Sequence, residues 1–193
     1  MTGPIPLTVD VPDALAADAR APLLADASLP PCVIDIEASG FGAGSFPVEV
    51  GVVLPDGSAY CTLVRPDPAW THWDGRAERL HGITRPLLER HGRTPREVAD
   101  ELNRRLEGRR VYSDNWAHDY AWIARLFDAA ERSPHFELHH LNELMTEAAM
   151  GRFDEARDRV SRSLHLRRHR ASSDARVLQL SVVRAIDGNV AAA

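Results

Sequence analysis

Short β-branched runs alternate along this chain with stretches whose apolar residues recur every three or four positions, the two periods that separate strands from helices. The first run, Cys32-Val33-Ile34-Asp35-Ile36, lies between Pro30-Pro31 and a glycine-rich loop, so residues 31–40 predict a strand too short to be a helix. Val48 to Leu54 and Ala59 to Val64 flank Pro55-Asp56-Gly57, a turn signal with Gly where a positive φ is needed, and predict a hairpin. Pro66 to Asp74 reads as a loop, followed by a short helical stretch ending in Arg79-Leu80-His81-Gly82-Ile83-Thr84. Thr94-Pro95 supplies an N-cap and a first-turn proline before Val98, Leu102 and Leu106, and that helix stops at Gly108. Arg110 to Ser113 predicts a fourth strand, His118 to Arg132 a helix with Trp122, Ile123, Leu126 and Phe127 on one face, and Phe136 to Leu138 a fifth strand. A helix over Leu141 to Val160 follows, and Ser172-Ser173-Asp174 caps a closing helix that ends before Gly188. Three strands, helix, strand, helix, strand, helix, helix call for an α/β fold with a mixed five-stranded sheet flanked by helices.

Residues 1–28 are rich in Ala, Asp, Pro and Leu and read as an N-terminal extension, a flexible tail or an amphipathic helix over Asp13 to Ala27; residues 29–193 read as one domain. No apolar run reaches the length of a membrane span, and the start lacks a basic segment followed by an apolar one, so the expected location is the cytoplasm. Cys32 and Cys61, both in predicted strands, are expected to be small buried hydrophobes and not a disulfide or a zinc site. The formal net charge of −5 does not advertise binding to phosphates, and all 23 basic residues are Arg, so any phosphate contact falls to Arg, His or backbone amides. The basic stretch Arg157 to Arg170 could cradle a phosphate backbone or be a solvated helix face interspersed with Asp154, Glu155 and Asp158.

The first strand breaks its own pattern. Side chains alternate across a strand, so Asp35 and Glu37 project from one face, roughly 6 to 7 Å apart at their Cα atoms. Two carboxylates held together at a buried strand end repel, which a divalent cation between them relieves; the alternative is an ordinary strand end with solvated acids. Acids recur at Asp119 in the first turn of a predicted helix and at Asp174 at the start of the last one, with His169 five residues before it. Phe41, just beyond the first strand, could stack on a base or belong to the core.

In this order Asp-x-Glu, Asp and His-x4-Asp resemble the motifs of the DEDD exonuclease family in its histidine variant, which includes ribonuclease T, oligoribonuclease and the proofreading subunit of bacterial DNA polymerase III. Val33-Ile34-Asp35-Ile36-Glu37-Ala38-Ser39-Gly40 resembles the first motif, Leu80-His81-Gly82-Ile83-Thr84 is similar to a His-Gly-Ile-Thr element, Asn115-Trp116-Ala117-His118-Asp119 resembles the second motif, and His169-Arg170-Ala171-Ser172-Ser173-Asp174 the third. His118 stands where Phe is usual, and Asp114, where His commonly precedes Asn, is a rival to Asp119 for the second-motif acid.

The resemblance implies an RNase H-like fold and hydrolysis of single-stranded RNA or DNA from its 3′ end to nucleoside 5′-monophosphates. It implies Asp35, Glu37, Asp119, His169 and Asp174 as catalytic residues, the four acids holding two divalent cations, Mg2+ or Mn2+, and His169 acting as general base. Ala38, Gly40, Phe41, His81, Asn115 and Arg170, within or beside the matched motifs, are candidate substrate contacts. A homodimer is expected by analogy with ribonuclease T and oligoribonuclease. The competing class is a catalytically weak or inactive nucleic-acid-binding or interaction module on the same fold.

Overall fold

The computed structural model describes residues 29–164 and 169–188. The expectations for residues 1–28, and those resting on Arg167 and Arg168, lie outside the described residues. The elements follow in the order β1 (Val33–Ala38), β2 (Pro47–Val53), β3 (Ala59–Leu63), α1 (Gly75–His81), α2 (Arg85–His91), α3 (Pro95–Leu106), β4 (Arg110–Ser113), α4 (Trp116–Ala130), β5 (Glu137–His140), a 3-10 turn (Leu141–Leu144), α5 (Glu147–Leu164) and α6 (Ala171–Asp187). The five strands form one mixed sheet in the order β3-β2-β1-β4-β5. β1 is central, antiparallel to β2 and parallel to β4, and β5 runs parallel to β4.

Alternation along β1 divides the sheet into two buried faces. Ile34 and Ile36 join Val48, Val50 and Val52 of β2 beneath Leu102 and Leu106 of α3 and Trp122 and Leu126 of α4. Val33 and Val53 face the other way, onto Ala149 and Ala156 of α5 and Ala175, Leu178 and Val182 of α6. Asp35 and Glu37 therefore belong to the α5–α6 side. Their register partners on β2 are Gly51 and Glu49.

Local chemistry sets the helix ends. Thr94 and Glu97 form a reciprocal capping box at α3. Gly82, at φ 73, ends α1, and the Thr84 hydroxyl caps α2, so the single short helix expected here is two. The helix expected from Leu141 begins instead as a 3-10 turn whose first residues are held by His140 and Glu143, and α5 starts only after Thr146, whose hydroxyl accepts from Ala149 N at 3.3 Å. α4 starts at Trp116, two residues earlier than its apolar face indicates. Cys32 is buried as expected, but Cys61 is exposed, because β3 is an edge strand of the sheet. Among the described residues no helix is long and apolar enough to cross a membrane.

Candidate active site

The C-terminal ends of the parallel strands β1 and β4 point the same way, the place in open α/β sheets where ligands bind. At the end of β1, the start of α6 lies directly on β2. A Cβ on Gly51 would stand 2.2 Å from Ala171 C and Ser172 N, so only glycine lets the helix come this close. Two residues earlier, the buried carboxylate of Glu49 accepts from Arg170 Nε at 3.0 and 3.1 Å, from Arg170 Nη2 at 2.5 Å and from Ala171 N at 2.9 Å. A buried acid is tolerable when it is paired and hydrogen-bonded on both oxygens, as here. This clamp fixes the chain just after His169, which sits in left-handed backbone at φ 58. Through it Glu37, His169 and Asp174 each bring one potential ligand atom to within 4.8 Å of the others.

Asp119 arrives from the opposite side, in the first turn of α4, and is buried. The Ser113 hydroxyl at the end of β4 donates to Asp119 Oδ2 and accepts from Asn115 N at 3.1 Å, tying the helix start to the strand end. Asn115 O accepts from Asp119 N at 3.1 Å, while the Asn115 side chain makes no capping bond. Asp114 is held instead by Arg157 of α5 at 3.3 Å.

The acids feel one another. Burial raises the Asp35 carboxyl well above the ordinary carboxylate range, and Asp119, Glu37, Asp174 and Asp114 push it further. Glu37 is raised to about 7 by burial, then by Asp174 and Glu49, against a smaller opposing pull from Arg170. Asp119 is also raised to about 7 by burial, opposed by the Ser113 hydrogen bond and reinforced by Asp114 and Glu37. Carboxylates gathered this closely, with an imidazole and no thiolate among them, are a donor set that fits a hard divalent cation.

A second wall rises from the glycine-rich loop. Phe41 is 66% exposed, so it is not a core residue, and its ring lies edge-on to His118 at 5.2 Å; His118 in turn stacks on Trp122 at 5.7 Å. The Trp122 indole N–H donates to Ser45 Oγ at 2.9 Å and fastens the loop to α4. Ala38, Ser39 and Gly40 are gripped from outside: Asp74 N donates to Ser39 O at 2.8 Å, Ser39 Oγ lies 3.2 Å from His72 Nδ1, and a Cβ on Gly40 would meet His72 and Asp74 at 2.7 Å.

His81 is buried, and burial lowers its pKa. Its Nδ1 accepts from Ile83 N at 3.0 Å, leaving the proton on Nε2, which has no partner among the described residues. Arg170, a candidate substrate contact in the sequence, has its guanidinium occupied by Glu49. Glu49, Gly51 and Ser113 read in the sequence only as strand residues, Pro47-Val48-Glu49-Val50-Gly51 being similar to the second strand of the DEDD exonuclease family. A single acid and a single glycine inside the apolar run Pro47-Val48-Glu49-Val50-Gly51-Val52-Val53 were the available signals, since neither suits a buried strand without a reason.

No protein-family model and no curated protein matches this chain. Among solved structures it is similar to E. coli Exonuclease I in complex with a dA16 oligonucleotide, with a TM-score of 0.62 and 12% identity. The fold is shared. That match covers 82% of this chain and 41% of the other. Exonuclease I of Methylocaldum szegediense gives a TM-score of 0.59 at 14% identity over 84% of this chain and 42% of its own, and a zinc-ion-bound form of the E. coli enzyme with single-stranded DNA gives 0.60 at 12%, covering 82% and 41%. The chain spans about two fifths of the length of these structures.

Proposed function

We propose that this chain is a metal-dependent 3′-5′ exonuclease that hydrolyses single-stranded nucleic acid to nucleoside 5′-monophosphates. The observation that carries the reading is the convergence of Glu37, His169 and Asp174, from opposite ends of the domain, within 4.8 Å of one another beside Asp35 and the buried Asp119. Repelling acids that are costly to hold together have a use when cations are bound between them. The likeness in fold to Exonuclease I, whose structures hold single-stranded oligonucleotides, supports the substrate class.

In this reading Asp35, Glu37, Asp119 and Asp174 would hold two divalent cations, Mg2+ or Mn2+. When bound, such cations supply charge neutralisation at the attacking and leaving oxygens of a phosphodiester. His169 takes the proton of the attacking water at its imidazole nitrogen, and the left-handed backbone fixed by Glu49 aims the ring. Phe41 stacks on the terminal base, and Ala38, Gly40 and Asn115 are further substrate contacts in this reading.

The test is a time course on 5′-labelled single-stranded DNA and RNA of one sequence with Mg2+ or Mn2+. A ladder that shrinks from the 3′ end, stops on chelation and is lost in Asp35→Asn is the expected result. Strand binding without any ladder would replace the enzyme with a binding module. His169→Ala is expected to lower kcat by roughly 10²- to 10⁴-fold, the usual share of a general base, with the metal affinity measured by calorimetry unchanged. A loss of metal affinity equal to that of Asp174→Asn would make His169 a ligand instead.

A further inference from the structure

The three-ring wall and the acids leave one exposed group of aromatic residues unexplained. Trp116 and Tyr120 stand one turn apart on α4, 39% and 55% exposed, with ring centroids 5.6 Å apart and planes inclined by 35°. The Trp116 indole N–H donates to Leu138 O of β5 at 2.9 Å, which fixes the ring while its face stays open to solvent. These rings start the same helix turn that carries Asp119 into the acid cluster, but face outward from it. Just before that turn, Asp114 holds the Arg157 guanidinium, about half exposed, at 3.3 Å. An exposed pair of this kind contributes at most about 1 kcal/mol, so the guanidinium is readily drawn to a phosphate.

Open aromatic faces near a half-exposed cation are the parts of a single-strand track: bases stack on rings of any sequence, and the backbone follows the positive charge. We infer that Trp116 and Tyr120, with Arg157, form a second nucleotide site that holds the bases upstream of the 3′-terminal one, one phosphate resting on Arg157. This occupant follows from continuity, since the helix start that forms the acid site also presents the rings. The inference rests on the exonuclease reading for which end of the strand lies at the acids, and it gives that site a preference for longer strands.

The experiment compares a dinucleotide with an eight-nucleotide single strand as substrates of the wild type, Tyr120→Ala and Tyr120→Phe. Tyr120→Ala is expected to raise KM for the longer strand roughly 5- to 100-fold, the worth of one stacked base, with kcat unchanged and the dinucleotide unaffected. Tyr120→Phe, which keeps the ring, should restore the wild-type KM. Arg157→Gln should lower the slope of log Kd against log salt for the longer strand by about 0.7, the value for one phosphate contact on a single strand. Equal effects on both lengths, or none on the longer strand, would overturn the site. Should neither substrate be cleaved, the exonuclease reading fails separately. Equilibrium binding of the eight-nucleotide strand then decides the surface: weakening by Tyr120→Ala upholds it, and unchanged binding assigns the rings elsewhere, to a protein partner for example.

Discussion

Glu37 and Asp119 show what assembling this site costs. Both titrate near 7 in the folded chain, against 4.5 and 3.8 for the unperturbed groups. Between those limits the folded state binds more protons than the unfolded one, so stability falls as pH rises through the window from about 4 to 7. Glu101, drawn down to about 2 chiefly by its hydrogen bond from Arg104, acts in the opposite sense between about pH 2 and its unfolded value of 4.5, so it offsets only the low edge of that window. A retained shift of one unit is worth about 1.4 kcal/mol, and about 1 kcal/mol moves the Tm of a domain of this size by roughly 2–4 °C. Protein in a chelator is therefore expected to melt several degrees higher at pH 5.5 than at pH 8. Mg2+ or Mn2+ should close that gap by stabilising the ionised form at pH 8. A thermal scan at both pH values, with and without metal, checks this, and a flat profile in chelator would mean the acids are solvated.

At the scale of elements, β2 acts as the bearing for α6. Gly51→Ala forces a methyl group into the backbone of Ala171 and Ser172, and Glu49→Ala leaves the Arg170 guanidinium and the Ala171 N–H without their acceptor. Both are expected to destabilise, Gly51→Ala by about 1–3 kcal/mol as overpacking and Glu49→Ala by about 3–5 kcal/mol as a broken buried pair. Both should also lower kcat more than metal affinity at Asp35, because what moves is the His169 to Asp174 segment. Urea denaturation paired with steady-state kinetics checks both parts.

The elements differ in how openly the sequence announces them. Alternation alone put Asp35 and Glu37 on one face of β1, and the structure turns that face toward α6. The capping box at Thr94 was equally readable because its partners are three residues apart. Arg170 was not: its position suggested a phosphate contact, and only the fold reveals Glu49, 121 residues away, as the group that takes its charge. Cys61 misled for a related reason, since strand membership says nothing about which strand lies at the sheet edge.

Over the whole molecule, the order of apolar periods was enough to give the sheet and its flanking helices, because each strand and helix buries one stripe of its own. The net charge of −5 does not reveal how the arginines are placed: Arg170 is paired with the buried Glu49, whereas Arg157 and Arg132 make exposed pairs with Asp114 and Asp100. Charge summed over a chain does not say which cations face outward.

The long reach of the β2 clamp also bears on how the acid cluster is assembled. Glu49 and Ala171 are 122 residues apart, so the clamp closes a loop that encloses most of the domain. Closing so large a loop is an entropic cost met late, after the local hairpin and helices have formed. Until α6 docks, Asp35 and Glu37 are two acids at the end of a strand, with no His169 or Asp174 beside them. A chain in which that helix has not docked would carry nearly the whole sheet with the cluster of Glu37, His169 and Asp174 unassembled, so on the exonuclease proposal the final helix completes the site in one step.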